Sequence, residues 1–412
     1  MTATRMGRAA TLAVAVAAWC VCAWLLARTS VPSLHLSGLD ERRYFGAHEL
    51  ARARSYSRGA DGLWLLGLVA ELVALVVLAR VLPRSVRGMG LGRVGAAIVV
   101  GMVMLATLWA VALPIDIVSY WWQHHWGLGP FHLWSYLASE WGTLWPEALS
   151  VMAGIALVVG LAGRFPRRWW LIAGPTIVAL AALFAFVSGW LGATPSHALR
   201  DPVLRSDVTR LERIEDVGGT PVRVQKVSSW TNQANAFTVG FGPSKNVVLW
   251  DTLLDGRFSR GEVNVVIAHE LGHVRSRHVL KAIGWSALIV LPTLWLLGVA
   301  TRRRGGVGNP ANLPFVLLAL VVLGLITTPI QNAVSRRYEA EADWRALNAT
   351  HDPVSARRLF QGFARTSLQD PSPGVLDYLW LENHPTLMQR IAMARAWSVR
   401  DGRPSRGGPG SP

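Results

Sequence analysis

Residues 269–300 read HELGHVRSRHVLKAIGWSALIVLPTLWLLGVA, a charged, helix-compatible segment that runs into an apolar stretch, Ala282 to Ala300. A second apolar stretch, Leu313 to Ile330, follows a short loop carrying Arg302, Arg303 and Arg304. Each stretch is long enough to cross a bilayer, and the arginines suit a turn at its surface. The two form a transmembrane hairpin, so whatever precedes the first span faces the same side of the membrane as whatever follows the second.

On that shared side lie two polar helical patterns. In the first, Ser259 to Leu280, Ser259 and Glu262 form a capping box and His269-Glu270-Leu271-Gly272-His273 follows one helical face. Residues four apart on a helix point the same way, so His269 and His273 can hold one Zn²⁺ with Glu270 beside them as general base. Two histidines leave a tetrahedral metal short of a protein ligand. The second pattern, Ser335 to Asp343, supplies candidates: Glu339 and Asp343 are spaced i, i+4, so that one carboxylate can bind the metal and the other can hydrogen-bond a ligating imidazole. His273 lies nine residues before Ala282, and Glu339 nine residues after Ile330. Continuous helices would therefore carry both to the same depth, about 13 Å beyond the spans.

The composition agrees with a membrane protein: 51% of residues are hydrophobic and mean hydropathy is +0.32. Seven candidate spans run from Ala9 to Ala27, Leu63 to Leu82, Val94 to Ile117, Leu144 to Ala162, Trp170 to Leu191, and through the hairpin pair. Glu71 and Asp116 fall in or at the edge of spans two and three, where an ionisable group faces either a wet chamber or protein partners. The net charge of +16 rests on arginines in short loops and span flanks, which argues against nucleic-acid binding. Cys20 and Cys22 both lie in the first span, so there is neither a disulfide framework nor a cysteine metal site. That span reads as retained, because no A-x-A cleavage site follows it. The scarcity of lysine beside arginine suggests a high-GC bacterial genome and a plasma-membrane protein.

Residues 120–145 pack six tryptophans with His124, His125 and His132, a pattern of an aromatic interfacial belt rather than a second metal site. Between His197 and Ser259 a helix around Arg205 to Glu215 precedes short strands at Pro221 to Lys226, Asn235 to Val239 and Asn246 to Trp250. Such a sheet either packs the metal helix or offers an edge to extended substrate. Further helices follow Asp352-Pro353 and His384-Pro385, and the tail from Arg400 to Pro412 is too poor in apolar residues to pack.

Taken in order, these elements resemble the integral-membrane zinc metallopeptidases typified by the type I CAAX prenyl endopeptidases. The resemblance is carried by HELGH, Asn235-Ala236-Phe237 with Gly240, Val248 to Leu254, Ser335-Arg336 to Asp343, and His384-Pro385 with Arg390. Weaker matches lie at Ala53 to Ser57 and His125 to Leu128. It implies a mainly α fold, a seven-helix transmembrane bundle around a chamber, with a small α/β zincin-like protease domain. It further implies one Zn²⁺ per chain on His269, His273 and Glu339, with Glu270 as base and Asp343 behind the ligands. His384 would stand near the oxyanion, with Asn235, Ala236 and Arg390 at the substrate. His278 falls five residues beyond His273, off the ligand face, and is expected to be structural.

The chain then divides into a membrane domain (1–192), the HExxH half of the protease domain (193–281), the hairpin (282–330), the C-terminal half of the protease domain (331–399) and a disordered tail (400–412). The expected function is zinc-dependent hydrolysis of peptide bonds at the membrane, acting on lipidated or other peptides. The alternatives are a quality-control protease for membrane proteins and a non-catalytic zinc-stabilised binding protein. Positive-inside counting places the site outside the cytosol, opposite to the face the resemblance implies, and the two readings stand opposed.

Overall fold

The computed structural model describes residues 2–34, 36–86, 89–192 and 195–401. The expected disordered tail lies, from residue 402, outside the described residues. In chain order the elements are α1 (Thr2–Ala27), α2 (Ala47–Val86), α3 (Arg93–His125), α4 (Leu133–Arg164), α5 (Trp169–Leu191), β1 (Ser196–Ala198), α6 (Pro202–Ile214), β2 (Val222–Gln225), β3 (Ala236–Val239), β4 (Asn246–Trp250), α7 (Arg260–Arg275), α8 (His278–Thr301), α9 (Leu313–Thr350), α10 (Pro353–Thr366), α11 (Val375–Trp380) and α12 (Leu387–Arg400).

Among the described residues six helices, α2 to α5, α8 and α9, are long and apolar enough to cross a membrane, and Ala13–Ala27 of α1 is a shorter apolar stretch. α1 joins the bundle along α8, where the Trp19 indole N–H donates to Leu288 O at 2.9 Å and Leu26 packs over Gly284. Large apolar side chains such as Val73, Val77, Leu180, Leu183 and Phe184 point outward, as a hydrocarbon solvent requires. Glu71 and Asp116 line a cavity of about 710 Å³ between α2, α3 and α4, together with Ser119, Gln123 and Glu147. Both acids therefore face a cavity. His125 stacks on Trp121 and Trp122, and His124 Nδ1 meets Gly129 O, so both histidines are engaged within the aromatic segment.

α9 leaves the membrane without interruption and carries the polar run through Asp343. Pro329 removes the N–H that would bond Leu325 O, and the Trp380 indole takes that carbonyl at 3.0 Å. The other half of the hairpin departs from expectation. The run from Ser259 to Leu280 is not one helix: it breaks at Ser276 and Arg277, the latter in the left-handed region at φ 54°. The turn lets α7 cross α9 rather than extend α8. At the crossing, a Cβ on Gly272 would stand 3.3 Å from Arg345 Cβ and 3.4 Å from Ala342 Cα. Arg345 holds the end of α7 by donating to Ser276 Oγ at 2.9 Å and to Glu215 Oε2 at 3.0 Å.

The sheet has the order β1-β2-β4-β3, with β2 and β4 parallel and the outer pairs antiparallel. β1 was not expected; three residues are too few for a periodic signal. Val247, Val248 and Leu249 of β4 are fully buried, as befits a central strand covered on both faces. Val247 and Leu249 share a core with Leu253, Ile267, Leu271, Leu387 and Ile391 from the segments around them. The sheet also touches the membrane bundle. A Cβ on Gly189 of α5 would sit 2.1 Å from Ser244 O, in the turn between β3 and β4, and Gly189 O accepts from Asn246 Nδ2 at 2.8 Å.

Candidate metal centre

α7 is buried from Val265 to Gly272, so packing fixes its rotation as well as its position. Its start is set by the expected capping box: Ser259 N–H donates to Glu262 Oε2 at 2.6 Å, and Glu262 N–H donates to Ser259 Oγ at 3.4 Å. His269 and His273 consequently face α9, ring centroids 4.7 Å apart and Nε2 atoms 3.0 Å apart. From α9, Glu339 brings Oε2 to 3.2 Å from His269 Nε2 and Oε1 to 3.6 Å from His273 Nε2. Ligand atoms of these three residues all lie within 4.8 Å of one another, the one such group among the described residues.

These donors fit a divalent cation. Glu339 Oε2 is buried with no hydrogen-bond donor, although His269 and His384 each approach it to 3.2 Å. Two imidazole nitrogens facing each other at 3.0 Å are close to the separation of about 3.3 Å that a tetrahedral ion with bonds of 2.0–2.1 Å sets between two ligands. The local field also favours positive charge. Burial opposes protonation of His269, yet hydrogen bonding and Coulomb attraction from Asp343 and Glu339 outweigh it and raise its pKa to about 10.

Behind the ligands, His269 Nδ1 meets Asp343 Oδ1 at 2.9 Å, so its Nε2 is the nitrogen aimed at the centre. Asp343 accepts two bonds from Arg390, Nε at 2.7 Å and Nη2 at 2.6 Å, while the guanidinium lies over Phe360 at 4.3 Å. Arg390 thus stands behind the ligands, on Asp343. Its side chain is about nine-tenths buried, with Nε and Nη2 both turned to Asp343.

His384 comes from the loop between α11 and α12. Its Nε2 is 3.2 Å from Glu339 Oε2, its Nδ1 2.6 Å from Asn383 Oδ1, and its side chain is 44% exposed, so it borders the centre from the open side. That loop hangs on α9: Arg336 Nη1 donates to Tyr378 O at 2.7 Å and Glu382 O at 2.6 Å, and Asn332 Nδ2 donates to Leu379 O at 3.0 Å. Burial raises the pKa of Glu382 beside it.

Asn235 and Ala236 open β3, the edge strand, and Asn235 Oδ1 accepts from Ala236 N–H at 2.9 Å. Asn235 O accepts from Trp250 N–H, so antiparallel alternation turns the main-chain groups of Ala236 and Thr238 to the open edge. Thr238 donates its hydroxyl to Glu270 Oε2 at 2.8 Å and lies 3.0 Å from Glu270 O. The structure therefore gathers His269, Glu270, His273, Glu339, Asp343 and His384 in one place, with Asn235 and Ala236 on the adjoining edge. Sequence reasoning gave no role to Thr238, Arg336 or Glu341. Arg336 and Glu341 left a trace, as members of the Ser335 to Asp343 run.

Comparison with known proteins supplies the family and the fold. The model of peptidase family M48 matches residues 198–398. A protein of Bacillus subtilis (strain 168) named uncharacterized metalloprotease YhfN is 26% identical over 377 residues, 86% of this chain and 87% of that one. A protease HtpX homolog of Acidiphilium cryptum is 31% identical over 269 residues, 59% of this chain and 86% of its own length. The crystal structure of S. mikatae Ste24p superposes with a TM-score of 0.68 at 18% identity, over 93% of this chain and 97% of that chain, a likeness of fold.

Proposed function

Since the chain belongs to peptidase family M48 and is an integral-membrane metalloendopeptidase, we propose that its metal is zinc, held by His269, His273 and Glu339, and that Glu270 is its general base. The observation that carries this reading is the convergence of those three donors beside the open edge of β3. Bound zinc would supply Lewis-acid activation of the scissile carbonyl and of the attacking water.

The chain's own groups account for the rest of the reaction. An extended peptide adds to β3 through the Ala236 carbonyl and the main-chain groups of Thr238, which sets the height of its carbonyl over the site. Glu270, steered by the Thr238 hydroxyl, takes the proton of the attacking water and passes it to the leaving amine. His384 donates from Nε2 to the developing oxyanion, and Asn235 holds the start of the edge strand. Asp343 and Arg390 keep Nε2 of His269 aimed at the metal.

The substrate is a peptide. An apolar cavity of about 690 Å³ between α8 and α9, lined in part by Trp19, Trp285, Ile289 and Leu296, reaches Asn383 next to His384. That cavity supports an apolar or lipidated tail on the substrate. No nucleic-acid partner is proposed. The sequence division at residues 192, 281, 330 and 399 follows the same reading, with both halves of the protease domain needed to complete the ligand set.

Zinc content and cleavage of a quenched peptide library by the detergent-purified protein test the assignment. Zinc near one per chain is expected, with cleavage lost and zinc kept in Glu270→Gln, and zinc lost in Glu339→Ala. Cleavage at the wild-type rate by zinc-loaded Glu270→Gln would overturn it.

A further inference from the structure

His269 is oriented by Asp343, but no carboxylate among the described residues touches the back of His273. Its Nδ1 instead lies 2.8 Å from Nδ1 of His278, and His278 Nε2 lies 3.1 Å from Glu341 Oε2. The protonation pattern of this row follows from its geometry. If His273 is to present an unprotonated Nε2 at the centre, its proton sits on Nδ1. His278 Nδ1 must then accept, which puts the proton of His278 on Nε2, where the Glu341 carboxylate accepts it.

Glu341 is itself held by the strap that follows the first membrane helix. Its Oε1 accepts from Ser30 N–H at 2.8 Å and from Ser30 Oγ at 2.7 Å, and Lys281 Nζ stands 3.4 Å from its Oε2. The junction of α1 and the strap is gripped at two further points: Leu26 O, in the last turn of α1, accepts from the Tyr338 hydroxyl at 2.6 Å, and Arg28 O from Lys281 Nζ at 3.2 Å. Tyr338 also stacks on His278, centroids 4.6 Å apart and planes 12° from parallel. His278 and Glu341 are buried, so alternative partners in water are removed.

The geometry points to a positioning relay, Ser30 to Glu341 to His278 to His273, through which the strap behind α1 fixes the tautomer and orientation of a metal ligand. The inference rests on the proposed metal centre. It makes His278 and Glu341 determinants of metal affinity, and it makes α1 and its strap part of the same device rather than an anchor alone. Each imidazole ligand then has its own backing, Asp343 with Arg390 for one and His278 with Glu341 for the other.

The test is the zinc dissociation constant of the full-length, detergent-purified protein, measured by chelator competition and read beside the melting temperature of the metal-free form. His278→Phe keeps a ring against Tyr338 but cannot accept a proton, and Glu341→Gln keeps the shape but not the charge. Both should weaken zinc binding by about 10–100-fold. His278→Gln, whose side-chain carbonyl can still accept from His273 Nδ1–H, should bind more tightly than His278→Phe. That difference separates the hydrogen bond from packing. Wild-type affinity in both His278→Phe and Glu341→Gln would overturn the relay while leaving the metal centre standing. If His278→Phe does not fold, Glu341→Gln alone decides. A wild-type protein that binds no zinc would overturn the metal centre and the relay together, so the two failures are distinguishable.

Discussion

Thr238, on the open edge strand, donates its hydroxyl to Glu270 Oε2 at 2.8 Å, so one residue belongs both to the substrate's docking edge and to the base. The bond restrains a carboxylate that must point at water and then at the leaving amine. A hydrogen bond to a charged group contributes about 1.5–3 kcal/mol. Thr238→Val preserves the β-branched shape and should lower kcat by about 10–100-fold. Zinc content and KM should change little, because neither the ligands nor the main-chain edge is altered. Steady-state kinetics with a peptide substrate check this, and an unchanged kcat would remove Thr238 from the catalytic arrangement.

Arg390 and Asp343 are both buried, and the guanidinium satisfies the carboxylate twice. Removing one partner leaves an uncompensated charge, at a cost of about 3–5 kcal/mol. Arg390→Met should accordingly lower the stability of the metal-free protein by that amount and weaken zinc binding through the freed His269 ring. Denaturant titration in detergent, with chelator competition alongside, measures both. Wild-type stability in Arg390→Met would show that the pair is not structural.

The acid limb of stability should be traceable to Asp251. This carboxylate accepts from Val227 N–H at 2.8 Å, Ser228 N–H at 3.0 Å and Ser228 Oγ at 2.7 Å, joining the end of β4 to the loop that leads into β3. Burial works against its ionisation, but hydrogen bonds from Ser228, Val227 and Thr252 prevail and lower its pKa. A depressed folded-state pKa stabilises the fold above the unfolded value of about 3.9, and that stabilisation is lost as pH falls through the lower folded value. Melting temperature against pH for wild type and Asp251→Asn should therefore show a constant gap above about pH 5 that narrows towards pH 3. A gap that widens on acidification would refute the assignment.

What could be read before any coordinates depended on period and spacing. Hydropathy marked the hairpin, and the one-turn repeat of His269 and His273 marked a ligand face. Equal distances of His273 and Glu339 from their spans brought α7 and α9 to one depth. That estimate assumed an unbroken helix through Ser276 and Arg277, and the conclusion survives because α7 turns across α9 instead of leaving it. The same break explains the misplacement of His278. On a continuous helix five residues carry a side chain about 140° around the axis, away from His273. With Arg277 in the left-handed region, α8 starts afresh and returns His278 to its neighbour. No glycine announced that turn. Arg390 was legible only in part: its spacing from His384 fixed its helix, whereas its partner Asp343 lies 47 residues away and is visible only in three dimensions. The three-residue β1 and the Thr238 hydroxyl carry no pattern at all.

Gly272, between the two histidines, sets how closely α7 approaches α9. A Cβ there would meet Arg345 Cβ at 3.3 Å and Ala342 Cα at 3.4 Å, tight enough that the neighbours must move by a few tenths of an ångström. Glu339 sits one turn before Ala342 and Asp343 on the facing helix, so the interhelical distance at Gly272 is also the distance from imidazole to carboxylate. Gly272→Ala should be absorbed with a modest loss, within about 1–3 kcal/mol of stability. Gly272→Leu cannot be absorbed, because Arg345 is fixed by Ser276 and Glu215 and Ala342 presents backbone. It should push the helices apart and weaken zinc binding far more than it lowers helix content. Chelator competition and far-ultraviolet circular dichroism on the two variants separate these effects. Equal zinc affinity in Gly272→Leu and wild type would mean that the close helix crossing is not what brings Glu339 to the histidines.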